Sequence, residues 1–282
     1  MGGRLTDRRC RWRCPTCAEP LEPVAGGLGC VSGHRFDRAR EGYVNLLPAG
    51  RKAGGAAGDT PGMVHARRAL FDAGHYRPVH EAVCAAVDAE VAAGGVVLDA
   101  GCGEGTYLRA IGVGRGDLTR LGVDVAKPAV RLAARRDPAA DYAVASSHRL
   151  PVADATIDAV VSVFAPRAWV QFARVLSPDG AAVVASPGAE HLDAVRRLRY
   201  VDAVPHDERA HLTESEVAGW TLVDRVDVRY ELTVAGPDVE HLVHMTPYRW
   251  SGSSTALPSV LTTTVHVVVS THRVPRRPPT PA

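Results

Sequence analysis

A doubly wound α/β domain preceded by a small cysteine-rich module is the fold this sequence predicts. Three observations carry that reading. From Val96 onward, short apolar runs alternate with helical stretches, the pattern of a parallel sheet wrapped by helices. Four of the six cysteines fall before residue 31. The composition, 46% hydrophobic and 23% charged over 282 residues, is that of a globular chain, long enough for one large core and an accessory module. Aromatic residues make up only 5%, so the core must come mostly from Val, Leu and Ala, which suits strands covered by helices.

Residues 1–48 read as the accessory module. It is rich in Cys, Arg and Gly, and Arg4, Arg8, Arg9, Arg11 and Arg13 form a basic arm at its start. Residues 49–62 read as a flexible Gly/Ala linker. Residues 63–274 form the main domain. It opens with apolar residues at helical spacing (Leu70, Phe71, Val79, Val83, Val87), broken into two helices at Gly74 and Pro78. Strands are expected at Val96–Leu98, Leu121–Val123, Tyr142–Ala145, Ile157–Val163 and Ala181–Ala185, with helices at Pro128–Arg136 and Ala168–Leu176. The β-prone run Thr262–Thr271 is expected to close the sheet, and the Pro-rich residues 275–282 to form a disordered tail.

No apolar run approaches the ~20 residues of a membrane span, and no hydrophobic stretch follows the basic N-terminus. A cytoplasmic protein without membrane contact is expected. Six cysteines in such a chain argue against a disulfide framework. The net charge of +2 neither implies nor excludes a nucleic-acid partner, since a local basic patch matters more than the total.

Cys14 and Cys17 form a C-x2-C pair, and Cys30 and His34 follow as a second knuckle among turn residues Pro15, Gly29 and Gly33. Four such ligands satisfy tetrahedral zinc, and with every position filled by protein the metal is structural. Reduced surface thiols are the plain alternative, but they seldom fall into two knuckles. A redox C-x-x-C sits at a helix start in a βα unit, which this pair does not.

The run Val96 to Thr106 is the most informative. A buried strand ends in Asp99 and turns through Gly101, Gly103 and Gly105 into a helix that starts with Thr106. Missing side chains let a ligand approach the backbone. The acid before the loop and the G-x-G-x-G spacing favour S-adenosylmethionine over a dinucleotide. Asp124, about 20 residues past the loop, ends the next strand where an acid accepts from ribose hydroxyls. Cys102 reads as a small tolerated residue rather than a nucleophile.

With these motifs in place, the chain resembles the zinc-containing bacterial 23S rRNA guanine-N1 methyltransferases, the family that includes the tylosin-resistance type. The resemblance runs through nearly the whole chain: the zinc knuckles, His34-Arg35-Phe36-Asp37, Arg40 to Leu47, Ala66 to Tyr76, the loop Asp99 to Gly105, Val144 to Pro151, Phe164-Ala165-Pro166, Ser186-Pro187-Gly188 with His191, and Met245 to Trp250. It implies a class I, Rossmann-like S-adenosylmethionine-dependent fold and methyl transfer to N1 of a guanine in a 23S rRNA hairpin near the peptide exit tunnel. It also implies a homodimer whose zinc modules help hold RNA. Tyr76, Gly105, Thr106 and His191 are the cofactor contacts it implies. Of the two branches, which methylate neighbouring guanines, the Val144 to Pro151 and Met245-Thr246-Pro247 stretches resemble the guanine 745 type more than the guanine 748 macrolide-resistance type.

Guanine N1 carries a proton and lies inside a base pair, so the base must be unpaired or flipped, and a general base is needed. Phe164 and Pro166 follow the fourth strand, where this fold presents a substrate, and Phe164 either stacks on the guanine or packs in the core. Arg8, Arg9, Arg11 and Arg13 are expected to contact phosphates. His148, Asp154 and His191 stay open as titratable candidates for the base. A small-molecule methyltransferase is the alternative, because a fold does not fix a substrate; the zinc module and basic arm count against it.

Overall fold

A computed structural model describes residues 11–48, 59–199, 214–216, 218–246 and 256–274. The basic-arm residues Arg8 and Arg9 lie outside this range, as do most of the expected linker and the whole Pro-rich tail.

The N-terminal segment contributes β1 (Glu22–Val24), β2 (Gly27–Gly29), β3 (Arg35–Asp37) and β4 (Val44–Asn45). The first three form a small antiparallel sheet. Two helices follow, α1 (Pro61–Asp72) and α2 (Arg77–Glu90). Pro61 and Gly62, expected as the end of a linker, instead open α1, because Thr60 accepts from the Met63 amide at 3.3 Å and caps the helix. Gly74, at φ +82°, turns the chain between the helices, and Pro78 sits in the first turn of α2.

The main domain then alternates: β5 (Val96–Ala100), α3 (Thr106–Ile111), β6 (Thr119–Asp124), α4 (Lys127–Arg136), β7 (Asp141–Val144), β8 (Ile157–Val163), α5 (Trp169–Val175), β9 (Leu176–Pro187), α6 (Asp193–Arg199), β10 (Thr221–Ala235), α7 (Pro237–His244) and β11 (Val260–Arg273). Eight strands form one sheet in the order β10-β11-β9-β8-β5-β6-β7-β4. From β9 through β4 the neighbours are parallel, and β10 and β11 add antiparallel at the other edge. The strand order reverses at β5, so a crevice opens beyond the carboxyl ends of β5, β6 and β8.

The central strands are apolar on both faces, as a sheet covered on both sides requires. Val97, Ala159 and Val183 pack on one side with Val79, Val83 and Val87 of α2. Val96, Leu98, Val160 and Val184 face the other side. There α5 covers part of the sheet with Phe172 and Val175, and the cysteine-rich module covers more with Trp12, Leu21 and Leu28, each no more than 2% exposed. The module is therefore built into the core. Trp12 pairs with Val152, the Arg13 amide donates to the Pro151 carbonyl at 2.8 Å, and the Ala153 amide donates to the Arg11 carbonyl at 3.0 Å. Its last strand, β4, pairs with β7 as the edge of the large sheet. These contacts seat the module against the sheet.

Candidate functional site

The two knuckles converge. One ligand atom from each of Cys14, Cys17, Cys30 and His34 lies within 4.8 Å of all the others. Cys17 Sγ stands 3.6 Å from Cys30 Sγ, and Cys30 Sγ stands 3.3 Å from His34 Nδ1. Two thiolates on one tetrahedral zinc stand about 3.8 Å apart, so the spacing is that of a zinc centre. The backbone N–H of Glu19 draws the Cys17 thiol down to about 6, toward the thiolate zinc requires.

Beyond the carboxyl ends of the central strands lies a cavity of about 1110 Å³. It is lined by Gly101, Cys102, Gly103, Glu104 and Asp124, by Phe164, Ala165 and Pro166, by Ser146 to Pro151, and by the Cys14-Pro15-Thr16 turn of the first zinc knuckle. Arg149 Nη2 donates to the Pro15 carbonyl at 3.0 Å, which fixes that turn against the cavity loop.

The three loop glycines all have positive φ: +109° at Gly101, +53° at Gly103 and +81° at Gly105. Their surroundings differ. A Cβ on Gly101 meets Ala165 Cβ at 2.4 Å, and one on Gly105 meets Tyr142 Oη at 2.8 Å and Ala133 Cβ at 2.9 Å. At Gly103 the nearest atom is Arg67 Nη1 at 3.5 Å. Close protein packing thus requires Gly101 and Gly105, while Gly103 leaves room on the cavity side. Gly105 and the buried Thr106 lie behind the cavity wall, and Thr106 donates to Glu104 Oε1 at 2.6 Å. Asp124 accepts from the amides of Gly103 at 3.0 Å and Ala126 at 2.7 Å, which straps the loop to the end of β6. Asp99 is 1% exposed, and neither of its oxygens has a hydrogen-bond partner among the described residues. Burial, reinforced by the charges of Asp124 and Glu104, raises its carboxyl well above the ordinary range. An orphaned acid beside two more acids suits a ligand that brings positive charge, as S-adenosylmethionine does.

Phe164 follows β8 at φ +51°, strained backbone for a non-glycine residue, and is 44% exposed on the cavity wall. Its ring stacks on His191, with centroids 5.4 Å apart and planes 27° from parallel. His191 in turn meets the ring of the fully buried Tyr76 edge-on at 6.4 Å. Tyr76 and His191 stand behind Phe164 and outside the cavity lining. His191 Nδ1 accepts from the His266 amide at 3.3 Å, so that nitrogen carries no proton and the ring is the Nε2–H tautomer. Asp154 is outside the cavity lining and binds two residues on it, Arg13 at 2.6 Å and Arg174. Of the three titratable groups that the sequence leaves open, only His148 lies on the cavity wall. Arg11 and Arg13 are held within the chain, Arg11 by the Thr156 carbonyl at 3.2 Å and Arg13 by the Ala18 carbonyl at 2.8 Å. Sequence reasoning misses Asp59, Arg67, Glu104 and Arg174 on the lining. Glu104 sits inside the loop motif and is visible there; the other three have no local signal.

Comparison with known proteins now bears on this geometry. Residues 12–54 match the family model of the RlmA N-terminal zinc ribbon, and residues 97–180 match a methyltransferase domain. A protein of Streptomyces fradiae named 23S rRNA (guanine(748)-N(1))-methyltransferase is 38% identical over 245 residues, covering 84% of this chain and 85% of its own. A Micromonospora griseorubida protein named putative 23S rRNA (guanine-N(1)-)-methyltransferase is 39% identical over 258 residues, with 84% and 86% covered. The chain belongs to the zinc-ribbon 23S rRNA guanine-N1 methyltransferase family. Like the rest of that family it is an S-adenosylmethionine-dependent enzyme with a zinc centre at Cys14, Cys17, Cys30 and His34. A solved structure of geranyl diphosphate methyltransferase with S-adenosylmethionine aligns at a TM-score of 0.50 with 16% identity, over 78% of this chain and 93% of the other, which speaks to fold alone. Among the described residues no helix is long and apolar enough to cross a membrane.

Proposed function

We propose that this methyltransferase methylates N1 of guanine 748 in 23S rRNA, taking the base into the cavity between the glycine loop and the zinc ribbon. The observation that carries this reading is the shared cavity. At about 1110 Å³ it exceeds the roughly 300–1,000 Å³ that one small ligand needs, which leaves room for a cofactor beside a flipped base. The Streptomyces fradiae relative, named for guanine 748, supports that position; the guanine 745 reading rests on the Val144 to Pro151 and Met245-Thr246-Pro247 stretches.

In this reading Asp99, Gly101, Gly103, Gly105, Thr106 and Asp124 shape the cofactor end, and Tyr76 and His191 brace it from behind. S-adenosylmethionine supplies an electrophilic methyl group. Phe164 stacks on the guanine with Pro166 beside it, and His148 takes the N1 proton. His191 is a poor base here because the nitrogen that lacks a proton is already bonded to a backbone amide. Most of the rate then comes from positioning. A homodimer is part of the proposal. The edge strand β10 exposes Leu222, Val223 and Val226, and a two-fold antiparallel pairing centred on Val226 sets Arg225 across from Asp227 of a second copy. Light scattering on the wild type against Val226→Lys checks it.

Primer-extension stops on 23S rRNA from cells with and without the enzyme test the activity. A stop at guanine 748 that depends on the enzyme supports the proposal. A stop at 745 moves the assignment to the other branch, and no stop at either favours a small-molecule substrate.

A further inference from the structure

Arg67 stands against the glycine loop. It projects from α1 onto the cavity wall beside Asp59, Gly103, Glu104 and Asp124. Its Nη1 stands 3.5 Å from the Cβ position of Gly103, the loop glycine with space beside it. Among the described residues its one hydrogen bond runs from Nη1 to Asp59, with which it is ion-paired. The guanidinium fork has five N–H donors, so most of them are uncommitted. The side chain is 24% exposed, partly sheltered from water.

S-adenosylmethionine ends in an amino acid that carries an ammonium and a carboxylate. The loop is well supplied with acids for positive charge, but the carboxylate needs a donor. In many anion-binding loops backbone amides serve. Here those amides are largely committed: Gly101 and Cys102 donate to the Val123 carbonyl at 2.9 and 3.0 Å, Gly105 donates to Cys102 at 2.9 Å, and Gly103 donates to Asp124. The other cavity-lining arginines are already bonded within the chain, Arg13 to Asp154, Arg149 to the Pro15 carbonyl and Arg174 to the Val152 carbonyl. A carboxylate placed among Glu104 and Asp124 without a cation meets like-charge repulsion.

We propose that Arg67 receives the α-carboxylate of S-adenosylmethionine, with Asp59 holding the guanidinium in place for it. This rests on reading the glycine-loop end as the cofactor site. Arginine suits the task because its planar fork bonds both carboxylate oxygens, which an ammonium cannot reproduce. The Asp59 pair supplies preorganisation, since one edge of the fork is anchored while the other faces the ligand.

The test is calorimetric titration of the full-length, zinc-loaded enzyme with two probes: S-adenosylmethionine, and decarboxylated S-adenosylmethionine, which keeps the sulfonium and the amine but lacks the carboxylate. Arg67→Ala is expected to weaken S-adenosylmethionine binding about ten- to a hundredfold and to change the decarboxylated probe by less than about threefold. Arg67→Lys should fall between. Wild type should itself discriminate between the probes by about the factor lost in Arg67→Ala. Equal losses for both probes, or no loss for either, overturn the assignment. Should Arg67→Ala not fold, Arg67→Lys and the wild-type discrimination decide: a wild type that binds both probes alike overturns it. A wild type that binds neither probe refutes the cofactor site itself, a result distinct from the other failures.

Discussion

Arg149 Nη2 donates to the carbonyl of Pro15 at 3.0 Å, joining a loop of the methyltransferase sheet to the turn between two zinc ligands. The zinc centre is thereby a structural part of the substrate cavity. Cys14→Ser is expected to release zinc and to lower the melting temperature of the whole chain, because Trp12, Leu21 and Leu28 cover one face of the sheet. Burying side chains of this size stabilises by about 1.5–3 kcal/mol each. Methylation should fall more than S-adenosylmethionine affinity, since Cys14, Pro15 and Thr16 form part of the cavity wall outside the glycine loop. Calorimetry with metal analysis checks this. An unchanged main transition beside a separate small one would mean that the ribbon folds independently, the outcome the Gly/Ala linker alone suggests.

The loop glycines separate packing from binding. Gly105→Ala and Gly101→Ala force a Cβ into protein atoms closer than 3.0 Å at positive φ, and should cost several kcal/mol or abolish folding. Gly103→Ala meets nothing closer than 3.5 Å, so it bears mainly the backbone strain of about 1–2 kcal/mol. Its Cβ enters the cavity, and S-adenosylmethionine binding should drop while the fold survives. Thermal melts alongside titrations distinguish the two classes; a folded Gly105→Ala with normal stability contradicts the packing argument.

Asp99 is expected to carry a stability cost in the absence of a ligand. Burial, with Asp124 and Glu104 nearby, raises its folded-state pKa. The folded state therefore binds a proton that the unfolded state has released, and this contribution, full below the ordinary carboxylate value of 3.8, is lost as pH rises through the folded-state value. Asp99→Asn removes the dependence. At a pH of about 8, above the ordinary carboxylate range, the variant without cofactor should melt higher than wild type. The advantage should shrink on acidification, while cofactor binding weakens. A variant less stable than wild type under those alkaline conditions refutes the cost.

The central strands and the paired helices are legible in the sequence because both follow simple rules. Buried runs such as Ile157 to Val163 are almost wholly apolar, and Gly74 and Pro78 mark the helix break. The strand β10 escapes a reading by composition, although Val226, Val228, Tyr230, Leu232 and Val234 alternate with Arg225, Asp227, Arg229, Glu231 and Thr233. Charged residues on an exposed edge strand mask a period-two pattern that is present. At the site, the zinc ligands and the loop are readable from local spacing. Arg67 is not, since it reaches Asp59 and Gly103 only through the placement of α1. The docking of the ribbon is also hidden: Trp12 meets Val152 across about 140 residues of chain, and no local pattern encodes such a contact.

Phe164 holds a strained φ of +51° while half-exposed, and such strain clusters at functional sites. Phe164→Gly relieves about 1–2 kcal/mol of backbone strain against a modest loss of contact with His191. Its melting temperature should stay within a few degrees of wild type. Methylation of the hairpin should drop at least about tenfold, the scale of one lost base-stacking contact, with Phe164→Tyr retaining most of it. If Phe164→Gly methylates normally, the ring is not a stacking platform.

The arginines near the N-terminus divide by what already holds them. Arg11 donates to the Thr156 carbonyl, and Arg13 binds the Ala18 carbonyl and Asp154. Both therefore serve to dock the ribbon, whereas Arg8 and Arg9 lie outside the described residues. A phosphate contact releases counterions and steepens the fall of affinity with salt, by about 0.7 in the log–log slope per contact on single strands and about 0.9 on a duplex. Arg8→Ala with Arg9→Ala should flatten the slope by about 1–2 if both contact phosphates. Arg11→Ala with Arg13→Ala should lower the melting temperature slightly, since the Arg13–Asp154 pair is partly exposed and such pairs contribute little. Any loss of RNA affinity in that second pair should come with an unchanged slope, because the ribbon shifts rather than a phosphate contact disappearing. Filter binding of the 23S hairpin across a salt series, run beside thermal melts, reads both quantities. A flattened slope in the Arg11/Arg13 variant would assign those two side chains to the RNA despite their contacts within the chain.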